Sequence, residues 1–279
     1  MMNENLNNIF RLDGKVIIVT GATGLLGRKH SEAIAAYGGT PILLDINASG
    51  LEKLELELNE KYDVKASGYV LDITDEKQVE ENSKEILVKY GHIDGLVNNA
   101  ANNPKVESDS KINFSRLENF PLETWSQDLA VGLTGAFLCA KHYGPVIAKS
   151  KDGGSIVNIS SDLGLIAPDQ RLYENPSNSE GDNSVKPDTY SVVKTGLIGL
   201  TRYLATYWIK DGVRCNAMCP GGVENGQPDV FLEKVFLKIP MNRLARVDEY
   251  QGTLIWMLSN ASSYLNGAII PVEGGRTCW

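Results

Sequence analysis

Histidine, cysteine and long apolar runs are all scarce in this 279-residue chain. The three histidines are His30, His92 and His142, and none sits with carboxylates at metal-ligand spacing. No metal site and no histidine base is therefore expected. The four cysteines, Cys139, Cys215, Cys219 and Cys278, lack the paired spacing of a zinc site and read as reduced thiols of a cytoplasmic protein. Cys219, just before Pro220, reads as a small buried hydrophobe. No apolar run approaches the ~20 residues of a membrane span. The N-terminus lacks a charged start followed by an apolar core, so no secretory signal is expected. Cations are outnumbered, with 27 Lys and Arg against 35 Asp and Glu, a net charge of −8. Without a basic stripe, nucleic acid and anionic membrane are poor partners.

What is present is a regular alternation of short β-branched runs and longer helical stretches from Lys15 to Val272. It predicts an α/β fold on a parallel sheet. The length is generous for one doubly wound domain and too short for a second full domain. No repeat, low-complexity tract or linker divides the chain, so residues 1–279 are expected to form a single domain. Residues 1–11 are polar and asparagine-rich, and read as a loose tail or an arm on a neighbouring subunit.

Residues 15–20 read Lys-Val-Ile-Ile-Val-Thr, a strand buried on both faces. Gly21-Ala-Thr-Gly24-Leu-Leu-Gly27 follows, then apolar positions Leu25, Leu26, Ala33, Ile34 and Tyr37 at helical spacing. Strand, glycine turn and helix in that order form the context of a dinucleotide site. The glycines allow close backbone approach, and the helix start offers N–H groups and a dipole to a pyrophosphate. A second strand, Pro41-Ile-Leu-Leu, ends at Asp45, which can accept from ribose hydroxyls and would repel a 2′-phosphate. No Lys or Arg follows until Lys53, so NAD(H) is expected over NADP(H). The blander role for Asp45 is a helix cap over residues 51–58, a role Asn47 or Ser49 could also fill.

Tyr190 and Lys194 stand four apart, a spacing that shares one helix face. A lysine cation lowers a neighbouring phenol's pKa, and a lowered phenol can exchange a proton with an alcohol or ketone.

With these landmarks the chain resembles the short-chain dehydrogenase/reductase family over nearly its whole length. The glycine turn and Asp45 are joined in order by Val70-Leu-Asp72, Asn98-Asn99-Ala100-Ala101, Ser160-Ser161, Tyr190 with Lys194, and Asn216-Ala-Met-Cys-Pro220-Gly221. The run Leu265-Asn-Gly-Ala-Ile-Ile-Pro-Val-Glu-Gly274-Gly275 resembles the family's last strand. The resemblance implies a Rossmann domain with a doubly wound, parallel, seven-stranded sheet and helices on both faces. It implies Tyr190 as acid/base, Lys194 on the nicotinamide ribose and lowering the phenol, and Ser161 on the substrate oxygen. Ser160 is the lesser candidate, since neighbouring strand residues face opposite ways. Cofactor contacts would come from Gly21, Thr23, Gly24, Leu25, Leu26, Gly27, Asp45, Ile46, Asp72, Ile73, Asn99, Ala100, Ala101, Tyr190, Lys194, Pro220, Gly221 and Val223. The implied reaction is hydride transfer between NAD and a carbinol carbon.

Three departures stand out. Gly132 occupies the position of the family's catalytic asparagine, and should weaken its helix by about 1 kcal/mol. The glycine turn puts Leu25 where a glycine is usual. Ser161 and Tyr190 are 29 residues apart, with the excess in residues 166–189, expected to cover or shape the substrate pocket. With the run from Gly221 to Leu232, this segment and Gly132 resemble the oxidoreductases of bacterial surface-sugar loci, of flagellin-modification and legionaminic-acid type, and residues 222–246 are expected to cover the substrate. That resemblance implies a small-molecule substrate derived from a sugar, phosphorylated or nucleotide-linked. Asn102 to Lys105 were expected to add specificity, and Lys105, Arg171, Lys234, Lys238, Arg243 and Arg246 are candidate phosphate cations or solvated surface. Two other readings stay open: a 3-oxoacyl-thioester reductase, and a non-catalytic NAD-binding sensor or scaffold suggested by Gly132. Residues 129–147 and 190–209 are apolar on more than one face, which predicts a homodimer or homotetramer.

Overall fold

The computed structural model describes residues 8–102, 113–174 and 183–279. Seven parallel strands form one sheet, ordered β3-β2-β1-β4-β5-β6-β7. They are β1 (Val16–Thr20), β2 (Thr40–Asp45), β3 (Ser67–Val70), β4 (Gly95–Asn98), β5 (Gly154–Ile159), β6 (Val213–Pro220) and β7 (Ile269–Val272). The doubly wound, single-domain architecture expected from the sequence is the one observed.

Because strand neighbours point to opposite faces, β1 feeds two cores at once. Ile17 and Val19 pack with α1 (Leu25–Ala36), α2 (Ala48–Lys61) and α8 (Gln251–Leu258). Val16 and Ile18 pack on the other face with α3 (Glu76–Tyr90), α5 (Gly135–Ile147) and α6 (Asp188–Tyr207). A third, smaller core joins Leu172 to Val235, Ile239 and Leu244, beside α7 (Asp229–Phe236). Through the buried Leu172 it ties the start of the 166–189 segment to the 222–246 segment, while Gln170, Arg171 and Glu174 beside it stay exposed. The centre of the insertion, with Asn103 to Lys105 and residues 1–7, lies outside the described residues. Of the expected loose tail, Ile9 is docked, its carbonyl accepting from the Ala261 amide at 3.0 Å.

Capping follows the local chemistry. Asn47 caps α2, its side chain accepting from the Gly50 amide at 3.1 Å. Asp45 is therefore released from the capping role. Between α4 (Leu122–Leu129) and α5, residues Ala130–Thr134 form a π turn with Gly132 buried at its centre. A Cβ on Gly132 would lie 2.5 Å from Val193 Cγ1 of α6. The glycine is thus required by the close crossing of the two helices, a physical reason that helix propensity alone does not supply.

Candidate functional site

The strand order reverses between β1 and β4, and the C-terminal ends of the strands open there into a cleft of about 700 Å³. This is where open α/β sheets bind ligands. One end is built almost wholly from backbone. Gly21 has φ +61°, and a Cβ on it would come within 2.9 Å of Ala100 Cα. Gly27 is packed as tightly, with its Cβ position 2.0 Å from the Gly21 carbonyl oxygen. The turn is braced from β4: Asn99 Nδ2 donates to the Thr20 and Gly21 carbonyls at 3.0 and 3.1 Å. The Asn99 and Ala100 amides both donate to Thr20 Oγ1 at 3.0 Å. Gly24 starts α1 without a side-chain cap, leaving its first amides to a ligand.

Asp45 ends β2 at the rim of the cleft. One carboxylate oxygen accepts from Thr23 N and Thr23 Oγ1 at 2.9 and 2.8 Å; the other accepts from Asn47 N at 3.0 Å. The acid therefore also clips the glycine turn to the second strand. Gly21, Thr23, Gly24, Leu25, Leu26, Asp45, Ile46, Asp72, Ile73, Asn99, Ala100, Ala101, Pro220, Gly221 and Val223 all line the cleft. Gly27 does not; it packs beneath the turn. Oriented amides, a rim carboxylate and glycines that admit close approach are a donor and acceptor set that fits a dinucleotide.

The other end brings Ser161, Tyr190 and Lys194 together. Ser161 follows β5, and its hydroxyl donates to Asp162 Oδ1 at 2.7 Å while accepting from the Leu163 amide at 3.2 Å. Ser160 donates to the Lys194 carbonyl at 2.7 Å, which commits it to holding α6. Lys194 is buried, and its ammonium donates to the Ile159 carbonyl at 2.8 Å, 5.7 Å from the Tyr190 ring centre. Burial pulls its pKa down to about 8, with Lys186 adding to the effect. The Tyr190 phenol departs from the sequence expectation. Burial raises it above its ordinary value of 10; contact with Ser161 offsets this in part, and the Asp162 charge adds to it. Desolvation of the half-buried ring is the largest of these effects.

Four cleft residues carried no signal in the sequence. Asp162 and Arg276 form a buried ion pair at 2.8 Å, 114 residues apart, directly behind Ser161. Tyr173 lines the same wall and meets Phe231 at a tilt of 46°, ring centres 5.7 Å apart. Lys186 places its ammonium 4.0 Å from the Tyr190 ring centre. Only its spacing, four residues before Tyr190, could have drawn attention. Five of the six candidate phosphate cations have partners within the chain. Arg171 and Lys238 pair with Asp169, and Arg243 and Arg246 pair with Glu249. Lys234 donates to the Arg171 and Glu174 carbonyls. Lys105 lies outside the described residues.

Comparison with known proteins agrees with this geometry. A family model described as short chain dehydrogenase matches residues 15–173, and one described as enoyl-(acyl carrier protein) reductase matches residues 177–277. The 3-oxoacyl-(acyl-carrier-protein) reductase FabG of Thermotoga maritima is 32% identical, over 95% of this chain and 98% of that one. Post-translational flagellin modification protein A of Campylobacter coli is 29% identical, with 95% and 98% covered. An NAD+-bound xylitol dehydrogenase superposes with TM-score 0.82 at 27% identity, covering 95% and 99%. A gluconate 5-dehydrogenase of Burkholderia cenocepacia, solved with NADP and tartrate, shares the fold with TM-score 0.85 at 24% identity, covering 99% and 100%. The chain belongs to the short-chain dehydrogenase family of oxidoreductases.

Proposed function

We propose that the protein is an NAD(H)-dependent oxidoreductase that interconverts a hydroxyl and a keto group on a sugar-derived substrate. The observation that carries this reading is the convergence of Ser161, Tyr190 and Lys194 at one end of a cleft whose other rim carries Asp45. NAD(H), when bound, takes up or supplies the hydride. The Leu25 and Leu26 amides at the start of α1 would hold its phosphates, Asp45 its adenosine ribose, and Lys194 its nicotinamide ribose. A carboxylate at Asp45 disfavours a 2′-phosphate, which is why NAD is preferred in this reading.

Ser161 turns its hydroxyl onto the substrate oxygen and orients it. Tyr190 gives that oxygen a proton during reduction and removes one during oxidation. A phenol held above 10 is protonated at neutral pH, so the free enzyme is set to protonate a ketone. The Lys194 ammonium then stabilises the phenolate as it forms.

The substrate wall combines the aromatic faces of Tyr173 and Phe231 with the amides of Asn225 and Gln227. Aromatic faces with nearby amides suit a polyhydroxylated ring. The likeness to flagellin modification protein A and to a polyol dehydrogenase points the same way. A 3-oxoacyl-thioester reductase is the second reading, favoured by the likeness to the Thermotoga reductase. The apolar faces of α5 and α6, with Phe137, Tyr203 and Tyr207 exposed, support a homodimer or homotetramer.

The test is calorimetric titration with NADH and NADPH, followed by nicotinamide absorbance against sugar phosphates, nucleotide sugars and a 3-oxoacyl thioester. NADH-selective binding with turnover of a sugar derivative is the expected outcome. Turnover of the thioester alone moves the assignment to the second reading, and NADPH preference overturns the role of Asp45. Tight NADH binding without turnover of any compound favours a non-catalytic NAD-binding protein.

A further inference from the structure

We infer that Lys186, contributed by the segment inserted between Ser161 and Tyr190, is a positioning residue that stabilises the ionised form of Tyr190 from over its ring. The inference rests on the proposed acid/base role of Tyr190. Its ammonium lies 4.0 Å from the Tyr190 ring centre, nearer than the 5.7 Å of Lys194. Two cations thus lie near the ring, one four residues before it in the chain and one four after. A cation over an aromatic face is attracted to the neutral ring and far more strongly to a phenolate.

The main chain that carries Lys186 is held in place. Pro187 caps α6 and fixes the extended approach of Lys186. The Lys186 amide donates to Gln170 Oε1 at 2.8 Å, and the Val185 amide donates to Ser115 Oγ at 3.0 Å. Gln170 belongs to the 3-10 turn Gln170–Tyr173 at the start of the insertion, which packs on α7. The insertion thus closes on itself and sets one ammonium over the reactive ring. Burial of that ammonium lowers its own pKa, an energetic cost that a structural surface lysine does not carry.

Other charges near Tyr190 divide between signs. Asp162, from the turn after β5, opposes ionisation but is itself paired with Arg276. Asp128 of α4 lines a small cavity with Lys186, Tyr190 and Lys194, and accepts from Thr189 Oγ1 at 2.6 Å. Lys194 faces the phenol from within α6, with buried Cys219 beside it. Buried, opposed charges of this kind make single-residue changes visible in a titration, because little water screens them.

The test needs no substrate. The full chain is labelled with 3-fluorotyrosine, whose phenol is more acidic than tyrosine's, and followed by fluorine NMR against pH. Among the eleven tyrosines, the Tyr190 signal is the one lost in Tyr190→Phe. Removing the cation in Lys186→Met and Lys186→Gln is expected to raise the Tyr190 titration by about one pH unit, while Lys186→Arg keeps it near the parent value. With an active substrate in hand, the limb of kcat/KM assigned to Tyr190 moves upward by the same amount. An unchanged titration in both neutral variants overturns the inference. So does a shift equally large in Lys186→Arg, which would mark a packing effect. Retention of turnover by Tyr190→Phe would instead refute the acid/base role, and the titration would still decide what Lys186 does to the phenol.

Discussion

The two ends of the cleft are held by different kinds of force. At the cofactor end, glycine backbone does most of the shaping, with short polar side chains bracing it: Gly21 at positive φ, the uncapped start of α1, and the Asn99 and Asp45 clips. At the substrate end, side-chain charge and packing do it: the Asp162–Arg276 pair, Lys186 over Tyr190, and a small core shared by residues 172 and 235–244. A backbone-built site is set by a few adjacent residues and tolerates change in the rest of the chain. A side-chain-built site depends on distant segments meeting, so its specificity can be altered without touching the cofactor.

The largest expected effect separates the two ends. Tyr190→Phe should lower turnover by roughly 10²- to 10⁴-fold while leaving NADH affinity within a few-fold, read by steady-state kinetics and calorimetry. Equal loss at both ends would break the comparison.

Next comes Arg276→Met, which leaves Asp162 charged and buried behind Ser161. It should destabilise the fold by about 3–5 kcal/mol in chemical denaturation, and Asp162→Leu in the same chain should recover part of that. Full additivity of the two changes would show that the pair is not coupled.

His30 offers a matching probe within the cofactor half. It is buried on α1 with neither ring nitrogen hydrogen-bonded, and burial lowers its pKa from 6.5 to about 4. The folded state therefore binds fewer protons than the unfolded state between these values. Its share of stability is complete above pH 6.5 and is lost as pH falls toward 4, by about 3 kcal/mol. His30→Leu should flatten that part of the stability–pH curve, measured by denaturation midpoints. An unchanged slope would assign acid sensitivity to carboxylates such as Glu32, held at about 2 by Lys29 and Lys61.

Smaller effects sharpen the picture. Asp45→Asn should weaken NADH binding by roughly ten- to a hundredfold and narrow its advantage over NADPH. Gly132→Ala should cost about 1–3 kcal/mol through the contact with Val193, and Val193→Ala should relieve it. Failure of that relief would place the strain in the π turn itself.

Much of the cofactor end was legible beforehand because its parts are contiguous: a strand, a glycine turn, a helix and an acid 24 residues after the first glycine. Tyr190 and Lys194 were legible for the same reason, as an i, i+4 pair on one helix. The Tyr190 ionisation was misjudged, since spacing shows the lysine but not the burial that raises the phenol. Which of the candidate cations stand in ion pairs was not legible, because sequence position does not reveal that Asp169 and Glu249 hold four of them.

By itself the sequence determined the strand–helix alternation, the parallel sheet, the glycine turn and the Tyr190–Lys194 pair. Those follow from periodicity and local chemistry, which act over a few residues. The tertiary structure alone decided that Arg276 meets Asp162, that Val193 leaves no room for a side chain at position 132, and that an inserted lysine rests on the reactive ring. Each of these depends on the packing of segments far apart in the chain, and no local pattern encodes where such segments come to rest.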